Sequence, residues 1–205
     1  INDAGAAHFD DDLRLLRDAA LKAVMLPKAE SDEQLGAVRA ALPDARLLAL
    51  VESARGVAAA SVLAASPGVE RLVFGTLDFA LDLDLDIADG NEALACAAGQ
   101  LTIASRVSNL PPPVAGVTPQ IDDDERLAAD LAWSRRHGFG AKLCIHPRQV
   151  APIHAALAPS AQAVEWARRV LAAEAASPGV AQLDGRMIDR PVVLQAQRTL
   201  QRAGT

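Results

Sequence analysis

The chain has 205 residues, 51% of them hydrophobic, and a formal net charge of −6, which suits one large globular body with a substantial core. Charges of both signs are scattered, with no basic stripe to track a phosphate backbone, which argues against nucleic acid as a partner; an acidic substrate would have to be met by a bound cation or by individual Arg and Lys residues. The two cysteines, Cys96 and Cys144, are too far apart for a CxxC pair, and no apolar run approaches the ~20 residues of a membrane span, so a cytoplasmic protein with no membrane partner is expected.

The chain opens on Ile1-Asn2-Asp3, acidic where a leader peptide would be basic. A helix is predicted over Asp10 to Ala20, then a short apolar run, Val24-Met25-Leu26, ending at Pro27-Lys28. A second helix, Asp32 to Ala41, starts at Ser31-Asp32-Glu33, where acidic side chains suit the positive end of the helix dipole. Leu47 to Val51 runs into Glu52, followed by a helix over Val57 to Ala65. Leu72-Val73-Phe74 runs into Gly75-Thr76-Leu77-Asp78, and a solvated acidic loop with Asp82, Asp84, Asp86 and Asp89 leads to a helix over Glu92 to Val107. Those aspartates lack the bidentate Glu that an EF-hand needs at loop position 12.

Pro111-Pro112-Pro113 stiffens the entry to a fourth run, Val114 to Val117 before Thr118, and Asp122-Asp123-Asp124-Glu125 starts a helix over Asp123 to His137. The fifth run, Leu143-Cys144-Ile145, ends at His146-Pro147 and a helix over Pro147 to Leu157; Cys144 reads as a small core residue. A long helix over Ser160 to Ala175, Pro178-Gly179, a short piece ending at Asp184-Gly185-Arg186-Met187-Ile188-Asp189, and a helix from Pro191 complete the chain. Continuous apolar runs alternating with amphipathic segments indicate βα units with a parallel sheet covered on both faces. Residues 1–158 form the α/β body and 159–205 a C-terminal helical extension.

In a parallel sheet the strand ends open on one rim, so Lys28, Glu52, Asp78 and His146 are expected to converge where (β/α)8 barrels carry their chemistry. Glu52 and Asp78 would repel unless a proton or cation lay between them, and an all-oxygen donor set points to a hard ion, Mg2+. Each residue also has a structural alternative: Glu52 as an ion-pair partner of Arg55, Asp78 as a helix cap, Lys28 in an ion pair, and His146 as an organiser of the last loop.

MLPKAES (Met25 to Ser31), LLALVESARG (Leu47 to Gly56), LVFGTLDFALDL (Leu72 to Leu83), GFGAKLCIHPRQV (Gly138 to Val150) and DGRMIDRPV (Asp184 to Val193) resemble, in order and spacing, the citrate lyase beta-subunit family of the HpcH/HpaI aldolase group. The resemblance covers essentially the whole chain. It implies a (β/α)8 TIM barrel that assembles as a homotrimer or hexamer. The implied chemistry is cleavage of a carbon-carbon bond in a 3-hydroxyacyl thioester, carried on CoA or a carrier protein, to acetyl-CoA or a relative plus a 2-oxo acid. Glu52 and Asp78 would then be the Mg2+ ligands, and Lys28, Asn2 and His146 would contact substrate. Asp189, in the MID motif, would be the catalytic acid or base on a C-terminal lid that closes over a neighbouring subunit's site; without the resemblance it reads as a helix N-cap before Arg190-Pro191.

Two departures accompany the likeness. Five strands cannot close an eight-stranded barrel, so the first strands are expected to be missing: Ile1-Asn2-Asp3 resembles the tail of the family's third strand motif, without the preceding Arg that grips the oxo-acid carboxylate. Leu77 stands where many relatives carry Glu. Two alternatives remain open at this level, a class II aldolase acting on a free 2-oxo acid and a noncatalytic truncated relative that serves in assembly.

Overall fold

The computed structural model describes residues 1–19, 21–88, 90–177, 179 and 181–204. Ala20, Asp89 and Pro178, named above at a helix end, in the acidic loop and at the Pro-Gly break, lie outside the described residues. The chain divides into two compact units, Ile1–Val150 and Ala151–Thr205.

The first unit runs α1 (Phe9–Asp18), β1 (Ala23–Leu26), α2 (Asp32–Ala41), β2 (Arg46–Val51), α3 (Ala54–Ala58), α4 (Ala60–Ala65), β3 (Val69–Phe74), α5 (Thr76–Asp82), α6 (Ala95–Val107), β4 (Val114–Ala115), α7 (Asp124–Arg136) and β5 (Ala141–Lys142). The strands form one sheet in the order β1-β2-β3-β4-β5, every pairing parallel. Parallel neighbours in chain order, with helical crossovers between them, are the wall of a (β/α) barrel, and the fold is α/β of that class.

Burial alternates along β2. Leu47, Ala49 and Val51 are closed off from solvent, whereas Leu48 and Leu50 are half-buried. Side chains of one strand point alternately to the two faces, so the helices cover the face of Leu47, Ala49 and Val51 and the other is covered only in part. Glu52 shares the parity of Leu48 and Leu50. The covered side packs Leu26, Leu47, Leu63, Leu72, Phe74 and Leu101 into one core. Phe74 meets Phe79 edge-on at 5.3 Å and stacks near Phe139 at 6.4 Å, which anchors α5 and the approach to β5 to the end of β3.

Helix α2 begins and ends where the sequence predicts. Ser31 Oγ accepts from the Gln34 amide, and the Gln34 side chain accepts from the Ser31 amide in return, a reciprocal cap. Other expectations shift. The helix read over Val57 to Ala65 starts earlier, at Ala54, because Ser53 Oγ accepts from the Gly56 amide, and it breaks at Ala59 into α3 and α4. Asp78 is not at a strand end: β3 stops at Phe74, and Asp78 lies in the first turn of α5. Strand β5 is Ala141–Lys142 rather than Leu143 to Ile145, because β4 offers only Val114 and Ala115 for pairing. Cys144 is consequently exposed and not a core residue.

In the second unit, α8 (Val150–Leu157), which begins on the last residue of the first, and α9 (Ala161–Ala176) precede a two-stranded hairpin, β6 (Gln182–Leu183) and β7 (Arg186–Met187), and α10 (Arg190–Ala203). The hairpin turns on Asp184 and Gly185, both at positive φ, as a two-residue connection demands. Ala167, Val170, Ala181, Ile188 and Ala196 form a small core of their own. No helix among the described residues is long and apolar enough to cross a membrane.

Candidate metal and substrate site

Glu52 follows the last residue of β2 and is 8% exposed. Its Oε1 accepts the Lys28 backbone N–H at 2.9 Å. Lys28 holds φ at +47°, unusual for a residue with a side chain, and that twist accompanies the inward turn of its amide toward Glu52. On the other side lies Gly75. A Cβ there would stand 2.5 Å from Glu52 Cβ and 2.6 Å from Oε2, so only glycine lets the end of β3 come this close.

Burial pushes the Glu52 carboxyl above its ordinary value. The Lys28 amide and ammonium oppose that rise, while the charges of Asp78 and Asp3 add to it. A buried carboxyl crowded by two others gains most from a cation placed among them. Lys28 Nζ lies 3.6 Å from Asp3 Oδ2. Asp3, Lys28, Glu52 and Asp78 thus form one constellation; the sequence reading named Lys28, Glu52 and Asp78, did not name Asp3, and expected His146, which stands four residues beyond the end of β5 and bonds to Arg148.

The alternatives weighed from sequence resolve in part. Arg55 pairs with Glu30, at 3.7 Å, and not with Glu52. Asp78 does not cap α5, whose N-cap is Gly75 with no side-chain bond; it adds a negative charge to the first turn. Lys28 does make an ion pair, with Asp3. The Asn2 amide and carboxamide both donate to Asp12 Oδ2, at 2.7 and 2.8 Å, which engages the side chain expected to meet substrate and lowers the Asp12 pKa. His146 Nδ1 accepts the Arg148 amide at 3.2 Å and so organises its own turn. Asp189, in the second unit, is exposed and caps α10 by accepting the Val192 amide at 3.1 Å.

Two further carboxylates shape the surroundings of the site. Asp82, placed from sequence in a solvated loop, ends α5 and accepts the Ala54 amide at 2.7 Å; its signal was the four-residue spacing from Asp78. Asp130, on α7, is buried and accepts from Thr118 Oγ1, Asn91 Nδ2 and Arg126 Nε within 2.9 Å. Arg126 reaches on to the carbonyls of Ile87 and Ala88. This hub ties the segments after α5 and after β4 together beneath the rim. Beside it, Lys142 donates to the Gly116 carbonyl at 2.7 Å, and burial lowers its pKa to about 8 although Asp130 opposes the fall.

Among the described residues no group of three or more His, Cys, Asp or Glu side chains could hold a metal ion. Two carboxylates are nevertheless a fitting donor set for Mg2+, which takes one or two from protein and completes its shell with water and substrate oxygens. Glu52, buried and facing the charges of Asp78 and Asp3, is the feature of this chain that fits such an ion.

Residues 1–147, which include the whole constellation, match the family model described as HpcH/HpaI aldolase/citrate lyase. The chain belongs to the HpcH/HpaI aldolase/citrate lyase family. It is 37% identical to a citrate lyase subunit beta-like protein of Mycobacterium tuberculosis, over 100% of this chain and 75% of that protein. It is 33% identical to a (3S)-malyl-CoA thioesterase of Cereibacter sphaeroides, over 94% of this chain and 68% of that one. The crystal structure of M. tuberculosis CitE with magnesium, acetoacetate and coenzyme A superposes with a TM-score of 0.88 at 32% identity, covering 100% of this chain and 77% of CitE. The HpcH/HpaI relatives therefore include both citrate lyase beta-like proteins and a thioesterase, and CoA recurs among them.

Proposed function

We propose that the protein is a Mg2+-dependent carbon-carbon lyase that cleaves a 3-hydroxyacyl thioester of the malyl-, citramalyl- or citryl-CoA type to acetyl-CoA, or a relative, plus a 2-oxo acid. The observation that carries this reading is Glu52, buried at the end of β2 and aimed by the Lys28 amide, with the charge of Asp78 acting on it. Bound between them, Mg2+ would supply Lewis acidity and a template for the substrate's carboxylate and hydroxyl oxygens.

The chain's own residues divide the remaining work. Glu52 and Asp78 hold the cation, and the Lys28 backbone keeps Glu52 aimed by its hydrogen bond. The exposed Lys28 ammonium supplies positive charge at the rim for the oxo-acid carboxylate, and Asn2, through its carboxamide oxygen, and His146, through Nε2, complete the substrate contacts while Asp12 and the Arg148 amide hold their other polar atoms. When the substrate hydroxyl gives its proton to water and its oxygen becomes the carbonyl of the 2-oxo acid, the electron pair of the broken carbon-carbon bond passes to the carbon next to the thioester carbonyl, which must then take up a proton. Asp189 is assigned that transfer, on a C-terminal extension, residues 159–205, that works as a lid. The family resemblance supports this assignment, together with the exposure of Asp189 at the start of α10. A homotrimer or hexamer would bring one subunit's lid to its neighbour's site.

A second reading, hydrolysis of the same kind of thioester to free CoA and the hydroxy acid, is favoured by the C. sphaeroides relatives. Titrating Mg2+ calorimetrically, with and without a 2-oxo acid, tests the part both readings share. Binding that is strengthened by the oxo acid and lost in Glu52→Gln and Asp78→Asn is expected; no binding by the wild-type protein would sink both.

A further inference from the structure

Helix α5 carries Asp78 but has little packing of its own to set its position. Only Phe79 and Ala80 are buried along it, while Leu77 and Leu81 are 43% and 80% exposed. Its first end is fixed by the sheet: the Gly75 amide donates to the Val51 carbonyl at 2.8 Å, extending the β2–β3 ladder, and Gly75 lies against Glu52. Its far end is fixed by Asp82, whose Oδ2 accepts the Ala54 amide at 2.7 Å. Ala54 is the first residue of α3 and stands two residues beyond Glu52. Asp78 and Asp82 are four apart on one helix and so lie on the same face.

We propose that Asp82 is a positioning residue for the candidate metal pair: by fastening the end of α5 to the start of α3, it sets the separation of Asp78 from Glu52 without itself binding the cation. The logic is mechanical. Glu52 is locked at the end of β2 by the Lys28 amide and by Gly75. Asp78 lies midway between two fastened points, so releasing one lets α5 pivot about Phe79, which is held by Phe74. The Ala54 amide is also one of the unpaired donors at a helix start, a further reason for the bond to persist. Partners that orient metal ligands typically matter 10–100-fold in metal affinity.

This inference rests on the reading that Glu52 and Asp78 share a divalent cation, and calorimetric titration of Mg2+ into the wild-type protein and three variants separates the two. Asp82→Ala is expected to weaken Mg2+ about 10-fold. Asp82→Asn keeps an acceptor for the Ala54 amide and is expected to restore wild-type affinity, whereas Asp78→Asn abolishes binding. Unchanged affinity in Asp82→Ala overturns the positioning role while leaving the metal site standing. Equal weakening in Asp82→Ala and Asp82→Asn overturns it too, because charge and not the tether would then be at work. A wild-type protein that binds no Mg2+ removes the metal reading, and this inference with it. Should Asp82→Ala not fold, hydrogen exchange at the Ala54 amide of the wild-type protein decides the matter. Slower exchange with Mg2+ supports the tether, and exchange indifferent to Mg2+ overturns it.

Discussion

Glu52→Gln separates stability from function. Glutamine keeps an oxygen acceptor for the Lys28 amide, now bonded at 2.9 Å, but gives up the charge-assisted part of that bond, about 0.5–1.5 kcal/mol. In return it removes the cost of burying a charge at a residue 8% exposed and the repulsion from Asp78 and Asp3. The raised pKa means that folding disfavours the charged form relative to the unfolded chain even with the Lys28 bond in place, so the gain exceeds the loss. By linkage, the group's contribution to stability is fully present below the ordinary carboxylate value and is lost as pH rises through the raised one. The advantage of Gln therefore appears near neutrality and vanishes below about pH 4. Relief of this kind is commonly worth about 0.5–2 kcal/mol, and roughly 2–4 °C in Tm accompanies each kcal/mol in a chain of this size. Urea unfolding in EDTA at both pH values reads it directly. Adding Mg2+ should invert the order, because wild type alone would gain about 2.7 kcal/mol when Mg2+ is 100-fold above its Kd. A variant no more stable than the wild type near neutrality in EDTA would refute the reasoning. Equal Mg2+ stabilisation of both proteins would do the same.

A methyl group at Gly75 has nowhere to go beside Glu52, so Gly75→Ala should weaken Mg2+ at least about 10-fold by calorimetry; unaltered affinity would show that Glu52 yields freely. Lys142 has its pKa lowered to about 8, so between that value and its ordinary 10.5 the unfolded chain binds the extra proton. Unfolding free energy should therefore rise across that window, and Lys142→Met should flatten the rise; the same slope in both proteins counts against the burial of Lys142. Asparagine caps helices as well as aspartate, so Asp189→Asn should leave Tm and Mg2+ affinity unchanged while slowing turnover by about 10²-fold or more, and full turnover would remove Asp189 from the chemistry.

Local signals in the sequence carried well where their partners are also local. Helix α2 is legible because its cap, Ser31 with Gln34, lies within four residues. Strands β1, β2 and β3 are legible because their apolar runs face helices. Glu52, Asp78 and Lys28 were found because parallel strands and the helices after them share one rim, an inference that needs topology and no distances. Where long-range geometry decides, the sequence was silent or misleading. Leu143-Cys144-Ile145 is as apolar as a strand, but pairing stops with the two residues of β4, and Cys144 is left exposed. Asp3 entered the site through Lys28 across a separation that no pattern marks. Asp82 looked solvated because its partner, the Ala54 amide, lies on a different βα unit. Asp130 gave only an i, i+4 spacing with Arg126, and its hold on Asn91 and Thr118 appears only once the loops are folded.

The central claim concerns which bond breaks. Incubating the protein with Mg2+ and malyl-CoA or citramalyl-CoA, and resolving the products by mass spectrometry, tests it most directly. A carbon-carbon lyase yields acetyl-CoA together with glyoxylate or pyruvate and no free CoA, and that is the predicted result. Free CoA with intact malate or citramalate would contradict the claim and make the protein a thioesterase.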